Sequence, residues 1–269
     1  MAPRPLTIVF AVCHPDDEAI WAGGLLCELA RIPFMRCFVI CLSGQDPASP
    51  RLREFEAARL AAGYAGGVIC GGPLRQALEP LPPLANTLKQ GLDQLGIAAD
   101  TIDLLVTHSP YGDEHLNPHH VQAHRELKAW SANRGIGFAH FACVALPGVA
   151  HRSLLKDLRR IGTLRLLQLA RCQGPAGTPR YFVQFASDPA AKLRLVQCYA
   201  SIGIAEHEQG YTMFSNPCEA LYLQDDRALV PISALMAAMQ APGSSPLVEK
   251  RGFAQRAIRK IRRMMKRTA

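Results

Sequence analysis

Two clusters of polar residues have the residue types and the placement to hold a metal ion together. CHPDDE (13–18) puts one imidazole and two adjacent aspartates directly after an apolar run, and THSPYGDEHLNPHHVQAH (107–124) contains five of the nine histidines. Hydrolytic zinc sites take three protein ligands and leave a further coordination position open. A histidine and an aspartate from the first cluster with one histidine from the second would supply that set, and the other aspartate could act as general base. Either cluster alone could also be a helix cap or a solvated loop.

The elements predicted around these clusters would bring them to one edge of a sheet. Apolar runs at 6–13 and 101–107 are typical of buried parallel strands, and each runs into one of the clusters. Further strands are predicted at 35–42, 67–70, 139–146 and 180–185, and helices at 17–31, 51–64, 84–96, 118–131 and 189–201. This alternation predicts an α/β fold with a mostly parallel sheet and helices on both faces. Ligands bind at the carboxyl ends of the strands of such sheets.

These passages resemble the LmbE-like or PIG-L family of zinc-dependent N-deacetylases. CHPDDE is similar to the family's AHPDDE motif, with Cys13 in place of the usual alanine, and NPHH (117–120) is similar to its HPDH motif. RLREFEAARLAAG (51–63) resembles the helix after the family's second strand, and 192–222 resembles its C-terminal segment. The resemblance covers residues 5–225 and implies a Rossmann-like α/β fold.

The resemblance also implies a metal site and a reaction. It makes His14, Asp17 and His120 the ligands of one Zn²⁺ per chain and Asp16 the general base. The reaction is hydrolysis of an N-acetyl group, most often on a glucosamine unit, to an amine and acetate. Iron or cobalt would also suit histidine and aspartate ligands.

Two residues depart from the family's second motif. Asn117 stands where the family has a histidine, and His119 stands where it has an aspartate. An asparagine can donate a hydrogen bond to an oxyanion but cannot act as an acid. The proton for the leaving amine is therefore expected from His119 or His115, with Asp16 as the simplest alternative carrier.

Substrate contacts are predicted from position along the chain. Ser43 lies at the carboxyl end of a strand, and Arg51 or Arg53 could reach a sugar or phosphate from the helix that follows. Tyr111 and His115 of the second cluster are expected to line the same cleft. Either arginine could equally be an exposed helix charge.

The basic charge of the chain is concentrated at its C-terminus. The net charge is +8, and residues 249–269 hold nine Lys/Arg and one glutamate, which leaves 21 bases and 21 acids elsewhere. Phe253, Ala257 and Ile261 recur at helical spacing between the bases. This pattern predicts a basic amphipathic helix that binds an anionic membrane surface. The alternatives are a nucleic-acid-binding arm and a disordered end. Binding of nucleic acid is not expected, because the chain outside residues 249–269 has no net charge.

The predicted organisation is a deacetylase-like domain over 1–240, a linker over 241–248 and the basic tail over 249–269. A chain of 269 residues that is 49% hydrophobic is not disordered. The cysteines are scattered and form no CxxC pair, and the sequence shows no membrane span and no recognisable signal peptide. These features are typical of a cytoplasmic protein. A peripheral position at the inner face of the membrane is expected from the tail.

The expected substrate is a glycan carried by a lipid, such as a lipopolysaccharide precursor, met at the membrane. One alternative is a soluble small molecule, for example a nucleotide sugar, a thiol conjugate or an antibiotic. Another is a non-catalytic relative that binds metal or glycan. The sequence leaves the oligomeric state open.

Overall fold

The computed structural model describes residues 4–74, 79–110, 112, 117–141, 181–186, 188–202, 218–229, 231–232 and 248–250. Its strands are β1 (Leu6–Val12), β2 (Met35–Cys41), β3 (Gly66–Ile69), β4 (Leu104–Thr107), β5 (Gly137–Phe141), β6 (Tyr181–Ala186), β7 (Cys218–Leu223) and β8 (Val248–Lys250). Over these residues the strands form one sheet in the order β3-β2-β1-β4-β5-β7-β6-β8.

The helices are α1 (Asp17–Ala30), α2 (Arg51–Ala62), α3 (Leu84–Gln94), α4 (Pro118–Ala132) and α5 (Pro189–Gln197), with 3₁₀ turns at Ala99–Thr101, Ala200–Ile202 and Asp226–Ala228. Local sequence explains several of their ends. Asn117 and Asp188 cap α4 and α5 with their side-chain oxygens, and a proline follows each of them. Gly63 ends α2 in the left-handed conformation, with φ of 78°.

The strand order confirms the predicted α/β fold and locates its switch point. Strands β3-β2-β1-β4-β5 are parallel, and the remaining pairs, β5 with β7, β7 with β6 and β6 with β8, are antiparallel. Strands β2 and β3 follow β1 on one side of the sheet, and β5 follows β4 on the other side. A crevice therefore opens between the carboxyl ends of β1 and β4, where ligands of doubly wound sheets bind.

The core lies on both faces of the sheet, which explains why β1 is a continuous apolar run. Ile8, Phe10 and Val12 pack on one face with helices α1, α2 and α5, whereas Val9 and Ala11 pack on the other with α3 and α4. All five residues are buried. Helices cover both faces, as predicted, so the side chains from Ile8 to Val12 are apolar on both sides of this strand.

A buried ion pair ties α1, α5 and β7 together. Lys192 Nζ lies 2.9 Å from the Glu219 carboxylate, and both side chains are 3% exposed. The same carboxylate accepts the backbone N–H groups of Gly24 and Leu25 in the middle of α1. This contact fixes α1, the helix that begins at the predicted metal site.

The structure differs from the sequence predictions at some element boundaries. The predicted strand 101–107 begins only at Leu104, because residues 99–101 form a 3₁₀ turn. The strand predicted at 139–146 begins earlier, at Gly137, and its residues 142–146 lie outside the described residues. Strand β7 was not predicted.

The predicted linker and tail are only partly described. Residues 248–250 pair with β6, so Glu249 and Lys250 lie in a strand rather than in the predicted tail helix. Residues 241–247 and 251–269 lie outside the described residues. In the part of the chain that is described, no helix is long and apolar enough to cross a membrane.

Candidate metal centre and active site

The two polar clusters meet at the carboxyl ends of β1 and β4. His14 follows β1, Asp17 begins α1, and His120 lies in the first turn of α4. β1 and β4 are neighbours in the sheet, with Val9 opposite Leu105. The side chains of Asp17 and His120 are 5% and 3% exposed, and that of His14 is 17% exposed.

The donor atoms of these three residues form a nearly equilateral triangle. His14 Nδ1 lies 3.3 Å from Asp17 Oδ2, His120 Nε2 lies 3.3 Å from the same oxygen, and the two nitrogens are 3.2 Å apart. A tetrahedral zinc ion with donors at about 2.0–2.1 Å separates them by about 3.3–3.4 Å. The three residues therefore fit one face of a zinc coordination tetrahedron.

His119 orients His14 toward this triangle. Its Nε2 lies 2.7 Å from the carbonyl oxygen of Glu79, which can only accept a hydrogen bond, so Nε2 carries the proton. Nδ1 of a neutral His119 is then an acceptor, and it lies 3.1 Å from His14 Nε2. His14 therefore donates through Nε2 and keeps the lone pair of Nδ1 for a metal. Partners of this kind fix the tautomer of metal-binding histidines.

Replacing His119 by alanine is expected to lower zinc affinity by about 10–100-fold, because His14 loses the partner that fixes its tautomer. His119→Asp offers a carboxylate acceptor at the same place and is expected to retain most of the affinity. The measurement is competition for Zn²⁺ with a chelating dye. Equal affinities for the alanine variant and the wild type would contradict this role.

The two adjacent aspartates have opposite electrostatic environments. Burial disfavours the charge of Asp17, but His120 and His108 outweigh it and hold the pKa of that carboxyl well below its usual range. Burial raises the pKa of Asp16 well above its usual range, the neighbouring Asp17 raises it further, and Arg51 acts against both. Paired carboxyls with separated pKa values are typical of a site in which one binds and the other moves a proton.

His108 contacts two of the three residues of the donor triangle, Asp17 and His120. Its Nε2 accepts the backbone N–H of Cys13 at 3.0 Å and lies 3.3 Å from Asp17 Oδ2, and its ring stacks on that of His120. Burial, reinforced by His120, lowers the pKa of His108 to about 4. Cys13, His108 and His120 also form a second group whose ligand atoms lie within 4.8 Å of one another.

The structure corrects two of the predicted roles. The Ser43 hydroxyl donates to the carbonyl of Cys13 at 2.7 Å and the residue is 3% exposed, so it supports the turn after β1 instead of contacting substrate. Both ring nitrogens of His119 have partners and the residue is buried. It is therefore a positioning residue and not the acid for the leaving amine.

The other predicted contacts fall into three groups. Arg51 is half-buried with Nη1 4.0 Å from Asp16 Oδ2, whereas Arg53 is exposed, so only Arg51 is placed at the site. Asn117 accepts the backbone N–H of His119 as the cap of α4, and its role toward an oxyanion stays a prediction. Tyr111 and His115 lie outside the described residues.

Sequence reasoning missed two residues next to the metal site. The placement of His108, directly after β4, is a signal that could have found it. Tyr199, which donates to Glu18, follows α5 and belongs to neither cluster, so no spacing rule indicates it. His124, the last histidine of the second cluster, is buried and donates to the carbonyl of His108.

No protein-family model and no curated protein matches the sequence. Solved structures do match. One is a triple mutant of a deacetylase of the teicoplanin biosynthetic pathway, 13% identical over 82% of this chain and 99% of that one, with a TM-score of 0.52. Another is Dbv21, the deacetylase of the antimicrobial A40926 pseudoaglycone, 14% identical over 80% of this chain and 96% of that one, with a TM-score of 0.51.

The chain has the fold of the LmbE-like deacetylases. The LmbE-like fold that the two motifs imply is thereby confirmed, including its Rossmann-like parallel half. The donor triangle lies at the switch point of this sheet. Its nitrogen and carboxylate donors suit Zn²⁺.

Proposed function

We propose that the protein is a metal-dependent hydrolase that removes an N-acetyl group from an amino sugar. The observation that carries the proposal is the triangle of His14, Asp17 and His120 donors, with edges of 3.2–3.3 Å, beside a further carboxylate. The fold of the LmbE-like deacetylases supports the same reaction.

The chemistry is divided between the metal and Asp16. A bound Zn²⁺ would supply the Lewis acid that polarises the acetyl carbonyl and lowers the pKa of the attacking water. Asp16 takes a proton from that water, whose oxygen forms the new bond to the acetyl carbon. The bond from carbon to nitrogen then breaks, and Asp16 returns the proton to the nitrogen. One water and one amide give acetate and an amine.

Asp16 is the proton carrier in this proposal because both ring nitrogens of His119 already have hydrogen-bond partners. The ring of His119 is held between His14 and the Glu79 carbonyl. Arg51 Nη1 lies 4.0 Å from Asp16 Oδ2, and we expect this side chain to bind polar groups of the sugar or an attached phosphate. Its positive charge also favours the ionised form of Asp16, which is the form that accepts a proton.

The test is product analysis on a panel of N-acetylated amino sugars, free, nucleotide-linked and lipid-linked. With zinc-loaded protein, we expect one substrate to lose an acetyl group and release an equal amount of acetate. Retention of the acetyl group by every compound, with zinc bound to the protein, would overturn the proposal and favour a protein that only binds metal or glycan.

We further propose that the substrate is lipid-linked and is met at the cytoplasmic face of a membrane. The support is the basic amphipathic pattern of the tail, in which each base near an anionic surface contributes about 1 kcal/mol. Ending the chain after Lys250 keeps strand β8 and removes eight bases. This variant is expected to lose binding to anionic vesicles in a flotation assay, and neutral vesicles are the control. Unchanged binding to anionic vesicles would contradict the role of the tail.

A glycolipid profile of cells with and without the gene separates this substrate from a soluble one. Cells without the gene are expected to contain a glycolipid one acetyl group heavier, and the wild-type gene is expected to remove it. An identical profile, together with activity on a soluble N-acetyl sugar, would contradict the lipid-linked substrate and leave the deacetylase proposal intact.

A further inference from the structure

Asp16 is held in an unusual backbone conformation. Its φ is 141° and its ψ is −30°, and it is the one non-glycine residue with positive φ among the residues that the structure describes. Side chains disfavour this region, and residues found there are concentrated at functional sites where surrounding contacts hold them. The conformation arises where the chain turns from β1 into α1, between His14 and Asp17 of the donor triangle.

The Glu18 side chain accepts a hydrogen bond from the backbone of Asp16. The N–H of Asp16 donates to Glu18 Oε2 at 3.2 Å. The other oxygen of this carboxylate, Oε1, accepts the hydroxyl of Tyr199. Glu18 and Tyr199 are both fully buried, so no solvent competes for these hydrogen bonds.

Tyr199 reaches this position from a distant part of the chain. It follows α5, its backbone N–H bonds to the carbonyl of Val196, and its side chain belongs to the core cluster of α1, α2 and α5. The hydroxyl is thus set by the packing of that core. A rigid donor on one carboxylate oxygen of Glu18 fixes the direction of the other oxygen, which receives Asp16.

We propose that Tyr199 is a positioning residue that acts through Glu18 to hold Asp16 in the conformation in which it meets the attacking water. The inference rests on the proposed function, because Asp16 is the proton carrier there. It extends the site beyond the two polar clusters to a residue 183 positions from Asp16 along the chain.

Tyr64 provides a matched control in the same core. It is 2% exposed and belongs to the same cluster of buried residues as Tyr199. Its hydroxyl has no hydrogen-bond partner among the described residues. Tyr64→Phe and Tyr199→Phe therefore remove the same atom from equally buried rings, but only Tyr199→Phe takes a hydrogen bond from Glu18.

The test compares kinetics and metal content of the two variants. Tyr199→Phe is expected to lower kcat by about 10–100-fold, because a small displacement of a reacting group has this effect, while KM and the zinc bound per chain stay unchanged. Tyr64→Phe is expected to keep the wild-type kcat. Equal kcat values for Tyr199→Phe and the wild type, or equal losses in both variants, would overturn the proposal.

A readout independent of activity is the crystal structure of Tyr199→Phe with zinc bound. Asp16 is expected to leave positive φ in this variant and to keep it in Tyr64→Phe. An unchanged Asp16 backbone in Tyr199→Phe would overturn the proposal. If the wild type released no acetate, the proposed function would fail, but the backbone of Asp16 would still decide the positioning role.

A second variant covers the case in which Tyr199→Phe does not fold. Glu18→Leu has a side chain of similar size without polar atoms, so both the Tyr199 hydroxyl and the N–H of Asp16 lose this partner. It is expected to show at least the same fall in kcat with zinc retained. Wild-type kcat in Glu18→Leu would count against the proposal as strongly as in Tyr199→Phe.

Discussion

Asp16→Asn is expected to lower kcat/KM for deacetylation by about 10²–10⁴-fold, the usual contribution of a general base. The amide keeps the size of the side chain but cannot accept the proton of the attacking water. Zinc should remain bound at one ion per chain, because the donors of the triangle belong to His14, Asp17 and His120. The measurements are acetate release and metal analysis on the same sample.

The control for this variant is Asp93→Asn. Asp93 is an exposed carboxylate on α3 that pairs with Lys89 and lies on no element of the site. It should keep the wild-type rate. An Asp16→Asn variant with wild-type activity would show that another group moves the proton. If Asp16→Asn lost zinc together with activity, Asp16 would be a ligand rather than a base.

Glu219→Ala is expected to lower the free energy of unfolding by about 3–5 kcal/mol, the usual effect of breaking a buried ion pair. The loss arises because the ammonium group of Lys192 stays buried without its counter-charge. In addition, the N–H groups of Gly24 and Leu25 lose their carboxylate acceptor. The measurement is a urea denaturation curve for the variant and the wild type.

An exposed glutamate gives the comparison for this effect. Glu56 pairs with Arg59 on the surface of α2 at 2.6 Å, with 51% of the Glu56 side chain exposed. Surface pairs of this kind contribute up to about 1 kcal/mol, so Glu56→Ala should change the free energy of unfolding much less. Equal losses for Glu219→Ala and Glu56→Ala would contradict the importance of the buried pair.

The sequence predicts the parallel half of the fold well because its central strands, β1, β2 and β4, are mostly apolar runs. The first strand, predicted at 6–13, is Leu6–Val12 in the structure, and the helix predicted at 51–64 is Arg51–Ala62. The antiparallel half was predicted poorly: only the strand at 180–185 was expected, and β7 was missed. Strand β7 (CEALYL) carries Glu219 near its start, so it is not a continuous apolar run that would indicate a strand.

The same contrast holds at the site. His14, Asp17 and His120 could be named because each lies within a motif next to the end of a strand or the start of a helix. The roles of Ser43 and His119 could not be predicted, because each depends on a backbone carbonyl from another segment. Ser43 bonds to the carbonyl of Cys13, and His119 bonds to that of Glu79. Hydrogen-bond partners brought together only by packing leave no spacing pattern in the sequence.

The most direct test of the central claim is a zinc titration of metal-free protein, followed by acetate release from the substrate that the panel identifies. We expect activity to rise in proportion to added zinc and to stop rising at one equivalent per chain, and we expect His120→Ala to bind little zinc. Acetate release that is unaffected by removal of the metal, or activity that His120→Ala retains, would contradict a metal centre built from His14, Asp17 and His120.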